Sequence, residues 1–248
     1  MLTNVEKTVN ELVEWTRGFF GENGKGCTAV LGISGGKDSC ITAALLARAL
    51  GPERVLGVLM PDGVQPDLTD SEAVVAHTGI RFLTVNIGEI TKILRETLAG
   101  TGSEITGDVR INIPPRVRMT VLYAVAQGLP EGGRVINTCN RSEDYIGYST
   151  KYGDSAGDVS LLAGFTVQEV LQIGDYLGLP EHLVHKAPSD GLSGMCDEDK
   201  IGFPYAVLDR YIETGVCEDP QIRERIDRMH AANLHKVSPM PYFHPAEG

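Results

Sequence analysis

From Val5 to Phe20 the apolar residues Val5, Val9, Leu12, Val13, Phe19 and Phe20 recur at helical spacing, which predicts a leading amphipathic helix. The pattern changes at Thr28. From there to Ile33 the chain reads as an apolar, β-like run, and a helix-like run follows that Gly51-Pro52 stops after Leu50. The alternation continues with a strand over Arg54 to Met60, a Pro61-Asp62-Gly63 loop, a helix opening at Thr69-Asp70-Ser71-Glu72 in the form of a capping box, and a strand over Arg81 to Val85. A helix around Ile87 to Leu98, a Gly/Thr-rich loop from Gly100 to Gly107, a helix from about Pro114 to Gln127 and a strand from Arg134 to Thr138 come next. The second half is helical, with Thr166 to Leu177 opening on another Thr-x-x-Glu box and Pro220 to Ala232 carrying mixed charge. Between them, Lys186 to Asp199 is rich in Pro, Ser, Gly and Asp and reads as a long loop that could order over a bound ligand.

Strands separated by helices predict an α/β fold with a doubly wound parallel sheet, both faces covered, and added C-terminal helices. The 248 residues hold no repeat and no low-complexity tract, and fit one domain spanning 1–248. Ligands of such a sheet gather beyond the C-terminal ends of its strands.

The most informative site there is Ser34-Gly35-Gly36-Lys37-Asp38-Ser39, which joins the first strand to its helix. Glycines let the backbone approach a ligand, the hydroxyls can donate, and the helix aims its free N–H groups and partial positive charge at an anion. A carboxylate in such a cradle repels phosphate unless a divalent cation lies between them, so Asp38 points to nucleotide plus Mg2+. A Walker loop is excluded, because Gly32 and Gly36 enclose three residues rather than four and Asp38 follows Lys37. The GxGxxA spacing at Gly24 to Ala29 precedes the strand and cannot cap a helix over a pyrophosphate, so it reads as a turn.

Composition narrows the partners. With 22 Lys plus Arg against 33 Asp plus Glu the net charge is −11, which disfavours nucleic acid as a partner. No window is apolar for long enough to span a bilayer and Met1 to Lys7 lacks a signal-peptide pattern, so a cytoplasmic protein with no membrane partner is expected. The five cysteines form no Cys-x-x-Cys pair and are odd in number, which argues for reduced thiols over disulfides or a zinc site.

The hexapeptide resembles the SGGxDS loop of the ATP pyrophosphatases, which split ATP between its α and β phosphates to adenylate a substrate oxygen. After the strand ending at Thr138 comes a polar, aromatic and glycine-rich stretch, Asn140 to Asp154, in which Glu143 could complete the metal shell begun by Asp38. Asn140-Arg141-Ser142-Glu143 and Gly147-Tyr148-Ser149-Thr150-Lys151-Tyr152-Gly153-Asp154 resemble the NxSE and GYxTKYGD blocks of NAD synthetase. Further matching stretches are Asn112 to Arg118 with Leu122-Tyr123, Lys186 to Leu192, Asp197-Glu198 leading to Gly202 and Tyr205, and His235-Lys236, so the similarity covers most of the chain.

That resemblance implies a Rossmann-like fold of the ATP pyrophosphatase type and an ammonia-dependent amidation of nicotinic acid adenine dinucleotide (deamido-NAD) to NAD. It implies ATP phosphates on Gly32, Ile33, Ser34, Gly35, Gly36, Lys37, Asp38 and Ser39, with further ATP contacts on Thr138 and Ser189. Mg2+ falls to Asp38 and Glu143, and the dinucleotide to Arg116, Lys151, Asp158, His235 and Lys236. The residue types suit these roles: arginine offers a planar fork, lysine a point charge, and aspartate an acceptor for a ribose hydroxyl. The family usually carries a lysine where this chain has Val167, which leaves Lys37 or Lys186 to cover the phosphate, or a slightly different substrate. It also implies a homodimer whose substrate site is completed across the interface.

The expected chemistry has two steps, adenylation of the nicotinate carboxylate with loss of pyrophosphate, then attack of ammonia on the acyl adenylate. Asp154 is the candidate to bind ammonium and accept its proton. The sequence shows neither a glutaminase domain nor an N-terminal cysteine nucleophile, so free or partner-delivered ammonia is expected. Two rivals share the loop: another ATP-pyrophosphatase-type amidating or thiolating enzyme acting on a different small acceptor, and a nucleotide-binding regulatory module. Asp38 together with Glu143 counts against the module, which has little need of a metal at a leaving group.

Overall fold

A computed structural model describes residues 1–64, 68–186 and 196–244. Its centre is a five-stranded, all-parallel sheet in the order β3-β2-β1-β4-β5, made of β1 (Thr28–Gly32), β2 (Val55–Leu59), β3 (Arg81–Thr84), β4 (Gly133–Asn137) and β5 (Val159–Ser160). The doubly wound α/β expectation holds. After β1 the chain builds outward through β2 and β3, then returns to the other side of β1 with β4. The topological switch point therefore lies between β1 and β4, where Val30 pairs with Val135.

The side-chain period of a strand sorts β1 between two cores. Ala29 and Leu31 join a cluster with α1 (Val5–Asn23), α2 (Lys37–Leu50) and α7 (Val167–Tyr176), including Val13, Ile41, Leu45 and Ile173. Val30 faces the other way, toward Ile113, Val117 and Ala126 of α5 (Gly107–Gly128). Both faces of β1 and β2 are thus dry, which explains their uninterrupted apolar sequence. Edge strand β3 is largely exposed. A third cluster of Ile146, Val167, Ile201, Phe203, Tyr205, Leu208 and Ile226 binds the C-terminal helices α9 (Asp197–Ile201), α10 (Tyr205–Thr214) and α11 (Pro220–Val237) to α6 (Arg141–Ile146).

Three local expectations change. Helix α5 begins seven residues before Pro114, at Gly107, where Thr106 accepts a bond from Val109 N at 3.3 Å. Its Pro114 and Pro115 lie inside the helix and forfeit two backbone donors, a cost of about 3 kcal/mol for a proline in a helix interior. The strong cap and burial of Ile113, Pro114 and Val117 against the sheet offset that cost. Helix α3 (Leu68–Thr78) starts before Thr69, which is not its cap. The stretch expected as a loop to Asp199 turns helical at Asp197, and its residues 187–195 lie outside the described residues. Among the described residues no helix is long and apolar enough to cross a membrane.

Candidate active site

Beyond the C-terminal ends of β1 and β4 lies a cavity of about 740 Å3, lined by Gly32, Ile33, Ser34, Gly36, Lys37, Asp38 and Ser39 from one side of the switch point. That volume suits a nucleotide-sized guest. Gly36 caps α2 without any side-chain bond, so the first-turn N–H groups of a 14-residue helix face the cavity with their partial positive charge. Ser34 and Ser39 brace the turn: Gly36 N donates to Ser34 Oγ at 3.2 Å and Ser39 Oγ donates to Gly36 O at 3.0 Å. Gly35 faces away from the cavity. Its φ is +80°, and a Cβ there would sit 2.8 Å from Asp70 Cβ and 3.0 Å from Ser71 N of α3, so only glycine fits between loop and helix.

From the other side of the switch point come Thr138, Cys139 and Glu143, following β4. Asn140, fully buried, ties the two sides together. Its Oδ1 accepts from Ser142 N and Glu143 N, each at 3.1 Å, capping α6, while Glu143 Oε2 accepts from Asn140 N at 3.2 Å. Its Nδ2 donates to Asp38 Oδ1 at 3.1 Å across 102 positions of sequence. One residue thereby holds both carboxylates at the same cavity wall, Asp38 through its side-chain amide and Glu143 through its backbone N–H. Below them, Ser142 Oγ bonds Asp209 and accepts from Val167 N, fixing α6 onto α7 and α10.

The charges at this wall are unusual. Lys37 is only 5 % exposed, and its Nζ donates to Asp38 Oδ2 at 2.7 Å. Burial disfavours its ammonium, but Asp38, Glu143 and Asp197 outweigh that and hold its pKa above the lysine norm. Burial and the nearby Asp38 push the Glu143 carboxyl well above the carboxylate range, with Lys37 opposing. Tyr205 is 2 % exposed and its hydroxyl finds no hydrogen-bond partner among the described residues, although Glu143 and Asp197 both act on it electrostatically.

The donor set fits Mg2+ delivered with a nucleotide. Among the described residues no three His, Cys, Asp or Glu side chains are grouped so as to hold an ion by themselves. Mg2+ prefers one or two carboxylates completed by phosphate oxygens and water, and Asp38 with Glu143 supplies those hard oxygens, next to a buried hydroxyl without a partner. Among the described lining residues, basic Lys37, Arg118, Lys186, Lys200 and Lys236 outnumber acidic Asp38, Glu143, Asp154 and Asp197 by five to four. In a chain of net charge −11 this keeps the cavity wall from being acidic where phosphates would enter.

The remaining sequence candidates divide by position. Asp154 lines the cavity and accepts from Thr150 N at 2.7 Å. It is open to the cavity yet crowded by its walls, so desolvation raises its pKa despite that bond. Lys236 also lines the cavity, donating to Gly147 O at 2.8 Å and Ser149 O at 3.0 Å. Arg116 is exposed and donates to Lys151 O at 3.2 Å. Lys151 Nζ reaches His235 O at 2.6 Å and lies over the Tyr152 ring, and exposed His235 stays within its own helix by bonding Ala232 O. Asp158, exposed at the sheet, accepts from Val135 N at 2.7 Å and Tyr123 OH at 3.2 Å. Thus Asp38, Glu143, Asp154, Thr138 and Lys236 share the cavity, whereas Arg116, Lys151, Asp158 and His235 do not line it. Ser189 lies outside the described residues. Val167 is buried in the third core cluster, so its side chain takes no part in the cavity.

Two features of the site escaped the sequence reading. Arg118, not Arg116, reaches the cavity, held by a bond to Met60 O at 3.1 Å, with burial lowering its pKa. Helical geometry puts residues two apart on different faces, and the deep apolar neighbours Val117 and Val121 could have marked the inner one. Asn140 was legible as a cap from its spacing to Glu143, but its bond to Asp38 was not.

A family model described as NAD synthase matches residues 8–240. The chain is 37% identical over 240 residues to the NH(3)-dependent NAD(+) synthetase of Archaeoglobus fulgidus, covering 94% of each protein. It is 39% identical over 212 residues to the namesake from Pyrococcus furiosus, covering 84% of this chain and 78% of that one. Among solved structures, the NMN synthetase of Francisella tularensis superposes with a TM-score of 0.87 at 30% identity, over 98% of this chain and 100% of that one.

Proposed function

The chain belongs to the NAD synthase family, and on that premise we propose that it amidates deamido-NAD with ammonia, forming NAD, AMP and pyrophosphate from ATP. The observation that carries this is the Asn140 bridge, which brings Asp38 and Glu143 together beside the uncapped N-terminus of α2. Acting as one domain, the protein binds the ATP phosphates along Gly32 to Ser39, with Gly35 setting the turn and Thr138 and Ser189 adding contacts. Asp38 and Glu143 would hold Mg2+, which when bound would supply positive charge to offset that of the departing pyrophosphate.

The first step moves an electron pair from a nicotinate carboxylate oxygen to the α phosphorus, and the bond to the bridging β-phosphate oxygen breaks. Amides of the α2 first turn and the cavity lysines stabilise the charge that moves onto pyrophosphate. In the second step ammonia attacks the acyl carbon, AMP leaves, and Asp154 takes the proton that ammonia must shed. Burial raises its pKa, which favours uptake of that proton. Water exclusion protects the adenylate, a task for the segment from Lys186 to Asp199.

Arg116, Lys151, Asp158, His235 and Lys236 serve the dinucleotide in this reading, four of them from the surface beyond the cavity. A second copy of the chain completes that part of the site. Exposed Phe82, Ile90, Ile93 and Ile111, on β3, on α4 (Gly88–Gly100) and at the start of α5, supply an apolar face for such a homodimer. Its five free cysteines suit the reducing cytoplasm.

A second acceptor is favoured by the similarity to the Francisella protein, which is named for NMN. The mononucleotide presents the same nicotinate carboxylate without the adenylate half. The test is to supply purified protein with ATP, Mg2+, ammonium and either deamido-NAD or nicotinic acid mononucleotide, and to separate the products chromatographically. NAD and AMP in equal amounts support the main reading. Product from the mononucleotide alone would transfer the reaction to that acceptor, and ADP in place of AMP would remove the ATP pyrophosphatase assignment.

A further inference from the structure

Lys37 is the anomaly of this site. Lysine is rarely buried without a charged partner, and this one occupies the first residue of α2, nine-tenths hidden, against one of the two carboxylates assigned to the metal. An ammonium and a divalent cation seek the same carboxylate lone pairs. Asp38 Oδ1 is taken by Asn140 and Oδ2 by Lys37, so each of its oxygens has a partner within the protein.

We infer that Lys37 is a tethered counter-ion of the metal subsite, paired with Asp38 in the metal-free enzyme and displaced when a nucleotide brings its divalent cation. This rests on the reading of Asp38 and Glu143 as metal ligands. Without such a cation the partly buried Asp38 carboxylate would keep the Asn140 side chain as its partner but lose the charge that touches it. A metal arriving alone must expel the ammonium toward Asp197 and Asp154, carboxylates already bonded to Tyr148 and Thr150. A metal arriving with a triphosphate brings oxygens to which the flexible four-carbon stem can turn, at the same helix N-terminus. Lys37 therefore makes metal binding conditional on nucleotide.

The test is Mn2+ binding followed by electron paramagnetic resonance on the intact protein, without nucleotide and with a non-cleavable α,β-methylene ATP. Lys37→Met keeps the length of the side chain and removes the charge. Without nucleotide it should bind Mn2+ at least about tenfold more tightly than wild type, because a neighbouring like charge has gone. Its melting temperature should fall in chelator and recover with Mn2+ more than that of wild type. With the nucleotide analogue the advantage should shrink, since Lys37 then contributes a phosphate contact to wild type alone. Lys37→Arg, which keeps the charge, should retain the weak nucleotide-free binding.

Equal or weaker Mn2+ binding by Lys37→Met, with Asp38→Asn abolishing binding to the nucleotide-loaded enzyme, overturns the role of Lys37 and leaves the metal assignment standing. If Asp38→Asn leaves the loaded enzyme's Mn2+ affinity unchanged, the metal assignment falls and this inference with it. Should Lys37→Met fold only with Mn2+ present, the ion is replacing the ammonium and the inference is supported. Should it fold under neither condition, Lys37→Gln, which removes the charge but keeps a polar donor beside Asp38, decides: tighter nucleotide-free Mn2+ binding than wild type supports the inference and unchanged binding overturns it.

Discussion

Removing the Asn140 side chain tests whether one amide organises both halves of the site. Asn140→Ala deletes a helix cap, worth about 1 kcal/mol, and a hydrogen bond to an ionised carboxylate, worth about 1.5–3 kcal/mol. Asp38, the partner in that bond, is only 17 % exposed, so solvent compensates little. The combined loss of about 2.5–4 kcal/mol corresponds to a fall of about 5–15 °C in melting temperature for a chain of this length. Glu143 also loses the cap that fixes its helix, and a displacement near 1 Å in such a group lowers turnover by about 10²-fold. Asn140→Ser separates the two contributions, because a serine hydroxyl still caps α6 but is too short to reach Asp38. It should recover about 1 kcal/mol of the stability and little of the activity. Differential scanning calorimetry and pyrophosphate release measure the two quantities. If Asn140→Ser matched wild type in turnover, the bridge to Asp38 would be irrelevant to catalysis and the reasoning would be wrong.

Asp38→Asn should preserve the circular dichroism spectrum while reducing AMP release at least about 10²-fold; near-native turnover would remove the carboxylate from the metal site. Burial, with help from Asp154, lifts the Asp144 carboxyl from 3.8 to about 6. A raised folded-state pKa gives stability that is complete below the unfolded value and lost as pH rises through the folded one. Asp144→Asn should therefore gain melting temperature relative to wild type between pH 3.8 and about 6, with no further gain above, and a flat difference across that window would refute the cause. Gly35→Ala forces a side chain into left-handed backbone and against Asp70, so the loop should shift at a cost of at least about 1–2 kcal/mol. The KM for ATP should rise with it, and unchanged KM and stability would contradict the close packing of loop and α3.

Much of the architecture is legible in the sequence because a doubly wound sheet writes its strands as short apolar runs and its helices at a longer period. Thr28 to Ile33 and Lys37 to Leu50 are found within a residue or so for that reason. The start of α5 is not, because prolines ordinarily mark boundaries, and here a capped first turn and a buried face carry the helix through both of them. Asp38 and Glu143 are legible as a pair from the topology, which sets the residues after β1 and after β4 side by side. What brings them into register is a tertiary bond from Asn140, and local pattern carries no signal for it. The burial of Lys37 is hidden for a similar reason: a lysine in a glycine loop reads as solvated until Glu143 and Asp197, from distant parts of the chain, are in place. Arg116 and Arg118 are equivalent by composition, and only the helix face tells which one meets the cavity.

The central claim is that the acceptor carboxylate is adenylated on this cavity wall. Deamido-NAD carrying an isotopic oxygen label in its nicotinate carboxylate, turned over with ATP, Mg2+ and ammonium, tests it through the mass of the nucleotide product. One labelled oxygen should pass to the phosphate of AMP while the other stays in the NAD amide. Unlabelled AMP, or label appearing in inorganic phosphate with ADP as the nucleotide product, would contradict it.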